Sequence, residues 1–181
     1  MKEIEYVARK GVLIKVKDEH EVKEIRFSDI KPFWQYATES YFEGGNALLL
    51  DNIVVFSIIV ASGQGEVIVG WDLEQDKVIH ISNADYCIDF AIYKDMLYML
   101  FDVNNYTTPS NISVYRIPFG TMDANNVGTK LCSENSINIH GELKIEVNES
   151  GIFIVSNNSR ITFASSPENA LISPGSDAEN S

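Results

Sequence analysis

Cysteine is almost missing from this 181-residue chain: Cys87 and Cys132 stand far apart, with no Cys-x-x-Cys spacing. They offer neither a metal nor a redox signature, and both read as small core residues in preference to a disulfide. Histidine is equally sparse. His20, His80 and His140 are isolated from one another, without His-x-His or His-Glu-x-x-His spacing, so no zinc site is expected. Gly-x-Ser-x-Gly, P-loop and Gly-x-Gly-x-x-Gly patterns are absent, which removes the commonest hydrolase and nucleotide signatures. The nearest glycine cluster, Gly63-Gln-Gly65, lies between strand-like segments and lacks a following helix to aim amides at a phosphate, so it reads as a hairpin turn. No cofactor and no metal are expected.

Long apolar runs are lacking too; none approaches the roughly 20 residues that cross a bilayer. The start, Met-Lys-Glu-Ile-Glu-Tyr, does not have the basic-then-apolar layout of a secretory signal. The expectation is a cytoplasmic protein that does not engage a membrane. On that view the four Asn-x-Ser/Thr sequons, at Asn105, Asn111, Asn148 and Asn157, are accidents of an Asn- and Ser-rich chain. Basic residues are outnumbered: 14 Lys and Arg face 26 Asp and Glu, a formal charge of −12. Met1 to Lys31 holds eight basic and seven acidic residues, whereas Pro32 onward holds six and nineteen. An acidic body repels nucleic-acid phosphate and anionic lipid, so nucleic acid is not an expected partner, while a basic protein is.

What the chain has in quantity is strand. Ile53 to Val60 is apolar at both alternating sets of positions and suits a central strand, and it precedes Val67-Ile-Val-Gly-Trp-Asp-Leu73 and Lys77 to Ser82. Ile4 to Ala8, Val12 to Val16 and Val22 to Phe27 form a first meander with charged outer faces. Cys87 to Tyr93, Met96 to Val103 and Ile112 to Ile117 form a third, and Glu142 to Val147, Ile152 to Val155 and Arg160 to Ala164 a fourth. With 45% hydrophobic residues the chain can bury one good core, and a single all-β domain over 1–164 is expected. From Ser165 to Ser181 the sequence is polar and aperiodic, which predicts a disordered C-terminal tail. Ser28 to Gly45 interrupts the strands and reads as holding a short helix from about Phe33 to Ser40.

The first turns of the four stretches, near Lys10-Gly11, Asp51-Asn52, Lys94-Asp95 and Ser150-Gly151, are separated by 41, 43 and 56 residues. The first two intervals match the roughly 40–45 residues of a four-stranded propeller blade. Val69-Gly-Trp-Asp-Leu-Glu-Gln-Asp-Lys-Val-Ile-His80 resembles the third strand, tight turn and fourth strand of a WD40-type or related β-propeller repeat, where a Trp-Asp pair closes the third strand. The resemblance lies chiefly in residues 47–120. It implies a propeller-like array of about four antiparallel β-meanders; a β-sandwich with the same periodicity is the alternative. An open sheet edge in such an array invites a partner strand or a homodimer.

Candidate functional residues fall into two groups. Asp89 and Asp102 interrupt apolar strands, and serve either as an acid and base of a hydrolase or, more plainly, as strand-end carboxylates bonded to a neighbouring turn; Asp72 reads the same way. Phe33, Trp34, Tyr36, Tyr41 and Phe42 crowd one segment. Exposed aromatics of this kind anchor protein interfaces and stack on sugars, and buried ones plug a core. Tyr106, in the polar loop 104–111, is a further partner-binding candidate. Without a catalytic constellation, the expected function is a non-catalytic protein-binding module, with an acidic inhibitor or immunity-like protein as its concrete form. A carbohydrate-binding module using Trp34 and Tyr36, and a hydrolase using Asp89 or Asp102, are the alternatives.

Overall fold

A computed structural model describes residues 2–9, 11–34, 42–60, 65–102, 112–139 and 141–174. The fold is all-β. Sheet I holds β1 (Glu3–Arg9), β2 (Val12–Lys17) and β3 (Val22–Arg26) in that order. Sheet II comprises β4 (Phe42–Leu50), β5 (Ile53–Val60), β6 (Gly65–Asp72) and β7 (Lys77–Asn83), with the two-residue β11 (Met122–Asp123) added in parallel to β7. Sheet III runs β8 (Cys87–Tyr93), β9 (Met96–Asp102), β10 (Ile112–Pro118) and β12 (Thr129–Leu131). Sheet IV is β13 (Lys144–Asn148), β14 (Gly151–Ser156) and β15 (Ser159–Ala164). Every other pairing between these strands is antiparallel, and none of the four sheets closes on itself into a barrel.

Where one domain was expected, the chain forms two compact units: Met1–Asp85 with Gly120–Asn126, and Tyr86–Phe119 with Val127–Ser181. In unit 1 the core joins one face of sheet II, including Val54, Phe56, Val69 and Trp71, to Ile14, Val16 and Ile25 of sheet I. The other face of β5 and β6 is buried as well, with Val55 and Ile68 at 0% exposure. That is the outcome expected for the doubly apolar run Ile53 to Val60.

Of the helix expected over residues 33–40, only Phe33 and Trp34 fall within the described residues. Described helical residues come earlier, as α1 (Phe27–Ile30) and a 3-10 turn at Lys31–Phe33, and Trp34 is already extended. The Asp29 carboxylate accepts the Arg26 N–H at 2.8 Å and closes the first turn, and Pro32 suits the start of the next. Residues 35–41 lie outside the described residues. Phe27, Ile30 and Trp34 all turn into the unit 1 core.

In unit 2, Tyr98, Leu100 and Val114 of sheet III meet Ile145, Ile152, Ile154 and Phe163 of sheet IV. Residues 165–174, expected from composition to carry no structure, are bonded into this unit. Tyr98 and Arg116 both donate to the Pro167 carbonyl at 3.1 Å, and the main chain of residues 171–173 pairs with residues 130–132. Ala170 sits in the core. The remaining residues of the expected tail, 175–181, lie outside the described residues. Gly128 admits no side chain, because a Cβ there would stand 2.4 Å from the Arg116 carbonyl oxygen.

Candidate partner-binding surface

An antiparallel meander places alternate turns at the same end, and three turns of unit 1 converge in this way: 18–21 between β2 and β3, Asp51-Asn52 between β4 and β5, and 73–76 between β6 and β7. The first and third are fixed by short-range polar bonds, and the second by bonds from elsewhere in the unit. Asp18 Oδ1 accepts the backbone N–H groups of His20 at 2.8 Å and Glu21 at 2.9 Å, and these hold its carboxyl below the usual range. Asp72 Oδ1 accepts the N–H groups of Glu74 and Gln75, and its Oδ2 accepts the Gln75 amide at 2.9 Å. Asp72 therefore orders a turn, which is the plainer reading of that carboxylate. The Leu73 N–H donates to the Asn52 carbonyl at 2.8 Å and ties the second turn to the third.

Between these turns lies a cleft of about 320 Å³. Val16 and Leu73, both 4% exposed, form an apolar floor, and Asp18, Glu21 and Glu74 supply carboxylates around it. Its two lysines are engaged by neutral oxygens: Lys2 Nζ donates to Asn52 Oδ1 at 2.5 Å, and Lys23 Nζ to the Leu73 carbonyl. Lys2 still acts on Asp18 through its charge, and the cleft's three carboxylates outnumber its two lysines. Rigid turns with a net negative rim and an apolar floor form a surface suited to a positively charged protein patch.

The aromatic candidates fare differently. Trp34 is 4% exposed and belongs to the unit 1 core, as a plug would, while Phe33 beside it is 43% exposed. Phe42 opens β4, with its main chain paired to Val60; nothing is described of its side chain. Tyr36, Tyr41 and Tyr106 lie outside the described residues. Of the six, only Phe33 and Trp34 have described side chains, one exposed and one in the core.

The strand carboxylates have structural partners or positions. Asp89 Oδ2 accepts the Ile145 N–H at 2.8 Å, which ties β8 to β13 inside unit 2. Asp102 ends β9 at 8% exposure. Among the described residues, no group of three or more His, Cys, Asp or Glu side chains is placed to hold a metal ion. Nor is any described helix long and apolar enough to cross a membrane.

Two buried polar groups escaped the sequence reading. Glu66, in β6, is 7% exposed and hydrogen-bonds Ser57; burial, with the Asp85 carboxylate nearby, raises its carboxyl to about 8. His80, in β7, is fully buried. Its Nδ1 accepts the Gly120 N–H at 3.1 Å, so Nε2 carries the proton toward Ser82 Oγ at 3.0 Å, and burial lowers the imidazole to about 4. The one signal in the sequence is that both residues sit within otherwise apolar strands. No protein-family model and no curated protein matches this chain.

Proposed function

We propose that this chain is a non-catalytic protein-binding module, built from four propeller-like β-meanders, that presents the acidic turn end of unit 1 to a basic partner. The observation that carries the reading is the convergence of three hydrogen-bonded turns around the cleft floored by Val16 and Leu73. The blade-like part is supported by the order of sheets I to IV along the chain and by Trp71-Asp72, which closes the third of the four antiparallel strands of sheet II. An acidic inhibitor or immunity-like protein that neutralises a basic enzyme or toxin is its concrete form, because complementary charge accelerates encounter. The sugar-binding alternative loses Trp34 as an open stacking platform, since the indole is in the core.

The test is association kinetics with a basic protein captured from cell extract, measured at low and high salt, for the native chain and for a Glu21→Lys, Glu74→Lys double variant. The expected result is a steep fall of association rate with salt, and at least a tenfold slower rate at low salt for the variant. Salt-independent binding, or a variant that associates as fast as the native chain, would overturn the reading.

A further inference from the structure

We propose that the outer edge of sheet III, at residues 171–173, is a self-pairing strand through which unit 2 joins a second copy of this chain, with Ile172 opposite itself across a two-fold axis. The bond pattern fixes which way this edge faces. Residues 171–173 add to β12 through two bonds: the Cys132 N–H donates to the Leu171 carbonyl at 2.7 Å, and the Ser173 N–H to the Lys130 carbonyl at 2.9 Å. These bonds flank the antiparallel pair Leu131 and Ile172, which exchange none of their own. In a pair of that kind each residue turns its N–H and C=O away from the other. Those of Leu131 turn toward β10, where it pairs with Val114. Those of Ile172 turn outward, and nothing among the described residues bonds them.

The side chains give an apolar reason to close the same edge. Leu100 of β9, Val114 of β10, Leu131 of β12 and Ile172 stand in one cross-strand row. The first three are at most 2% exposed, whereas Ile172 is 59% exposed and leaves the row open. Leu171, on the opposite face, is 69% exposed. A second copy satisfies both features. An antiparallel strand related by a two-fold axis sets residue 172 opposite itself, so the outward N–H of each copy meets the outward C=O of the other. The apolar row then continues through Ile172 and Leu131 of the second copy, and the exposed Ile172 and Leu171 side chains leave water. Charge favours this occupant too. The chain carries −12, yet residues 169–174 have no charged side chain, so two copies meet here without opposed like charges, and a basic partner finds no carboxylate on the segment. In that register the next hydrogen-bonded pair would match residue 170 with Pro174, which has no N–H, so the contact stays short. A contact this small gives a weak dimer, with a dissociation constant of about 10⁻⁴ M. The inference is separate from the partner-binding reading, since it uses none of the residues of the cleft.

The test is sedimentation velocity and amide NMR of the full chain from about 10 µM to about 1 mM, a range that brackets the expected constant. The expected result is a concentration-dependent dimer, with amide shifts centred on residues 130–132 and 171–173. Ile172→Pro deletes the outward N–H and spares both bonds to β12, while Ile172→Lys sets two ammonium groups against each other across the axis. Each should weaken the dimer at least about tenfold. Slow hydrogen exchange at the Cys132 and Ser173 amides should persist in both variants, because the strand stays on β12. The Glu21→Lys, Glu74→Lys double variant should dimerise as the native chain does, which separates this edge from the cleft. A monomer over the whole range, shifts centred elsewhere, a dimer that keeps its strength in either Ile172 variant, or one lost in the double variant would each overturn the proposal.

Discussion

The two units solve one problem by different means. Each packs two meander sheets over an apolar core, and each must cover the end of that core with a connecting segment. Unit 1 uses large apolar side chains, Phe27, Ile30 and Trp34, carried on a short helical stretch. Unit 2 uses residues 165–174, a polar segment whose carbonyls accept from Tyr98 and Arg116, whose Glu168 carboxylate pairs with Lys94, and whose Ala170 alone joins the core. A core can therefore be closed by transfer of apolar surface from water, or by polar bonds that hold a thin cover in place. The first kind of closure is spread over many weak contacts, and the second is concentrated in a few replaceable bonds.

Deleting residues 165–181 should break the comparison most sharply. The bonds made by Tyr98, Arg116, the Cys132 N–H, the Ser173 N–H and Ser165 disappear together. At about 1 kcal/mol each, the loss is roughly 5 kcal/mol, with the Lys130 carbonyl and the Cys132 N–H returned to solvent. Hydrogen exchange should show β9, β10 and β14 losing protection while β5 and β6 keep theirs; equal loss in both units would mean that they do not open independently. Trp34→Ala is the counterpart in unit 1. Truncating a buried indole costs about 3–5 kcal/mol, and the same exchange experiment should show the inverse pattern, with β5 and β6 loosened and β9 spared.

The pH dependence of stability sharpens the contrast, because unit 1 buries two groups that titrate in opposite senses. His80 is lowered to about 4 from its usual value near 6.5, so the unfolded chain binds the extra proton between those values. Its contribution to stability is complete above about 6.5 and is lost as pH falls toward 4, at about 1.4 kcal/mol per pH unit. Glu66 is raised to about 8 from 4.5, so the folded chain holds the extra proton. Its contribution is complete below about 4.5 and is lost at the same slope as pH rises toward 8. Between about 4.5 and 6.5 the two slopes cancel, and unit 1 should show a plateau falling away on both sides. Denaturant midpoints measured across pH check this. His80→Gln should remove the acid limb and turn the plateau into a continuous fall from about 4.5 to 8, and Glu66→Gln should remove the alkaline limb and turn the plateau into a rise from about 4 to 6.5.

How much of this was legible follows from the same contrast. The longer strands of sheets I to IV were readable because alternation and doubly apolar runs such as Ile53 to Val60 report burial directly, whereas the short β11 and β12 were not read. Asp72 was read as bonding a neighbouring turn and does so, whereas Asp89, read the same way, instead accepts the Ile145 N–H of another strand. The cover of unit 2 was not legible. Ser165 to Pro174 carries the composition of a loose tail, and the groups that hold it, Tyr98 and Arg116, lie roughly fifty to seventy residues earlier in strands whose pattern gives no sign of a tie to it. Trp34 presented the other difficulty: aromatic density marks either an anchor or a plug, and only burial tells them apart. The acidic cleft depends on three turns far apart in sequence arriving at one end, so its residues looked like ordinary turn residues one at a time.

The smallest expected effect separates local from long-range carboxylates. Asp72 and Asp89 each accept backbone N–H groups, but Asp72 bonds Glu74 and Gln75 within its own exposed turn, whereas Asp89 reaches Ile145, 56 residues away. In Asp72→Ala, water replaces the lost acceptor on N–H groups that already lie at the surface, so the cost should stay at about 1 kcal/mol. In Asp89→Ala the Ile145 N–H is left between β8 and β13, where replacement by water is hindered, and the cost should reach about 2 kcal/mol. Asn at either position keeps an oxygen acceptor and should recover most of the loss. Chemical denaturation of the four variants orders these effects. If Asp72→Ala costs as much as Asp89→Ala, the 73–76 turn supports sheet II beyond its own bonds, and the cleft floored by Leu73 depends on that carboxylate for its shape.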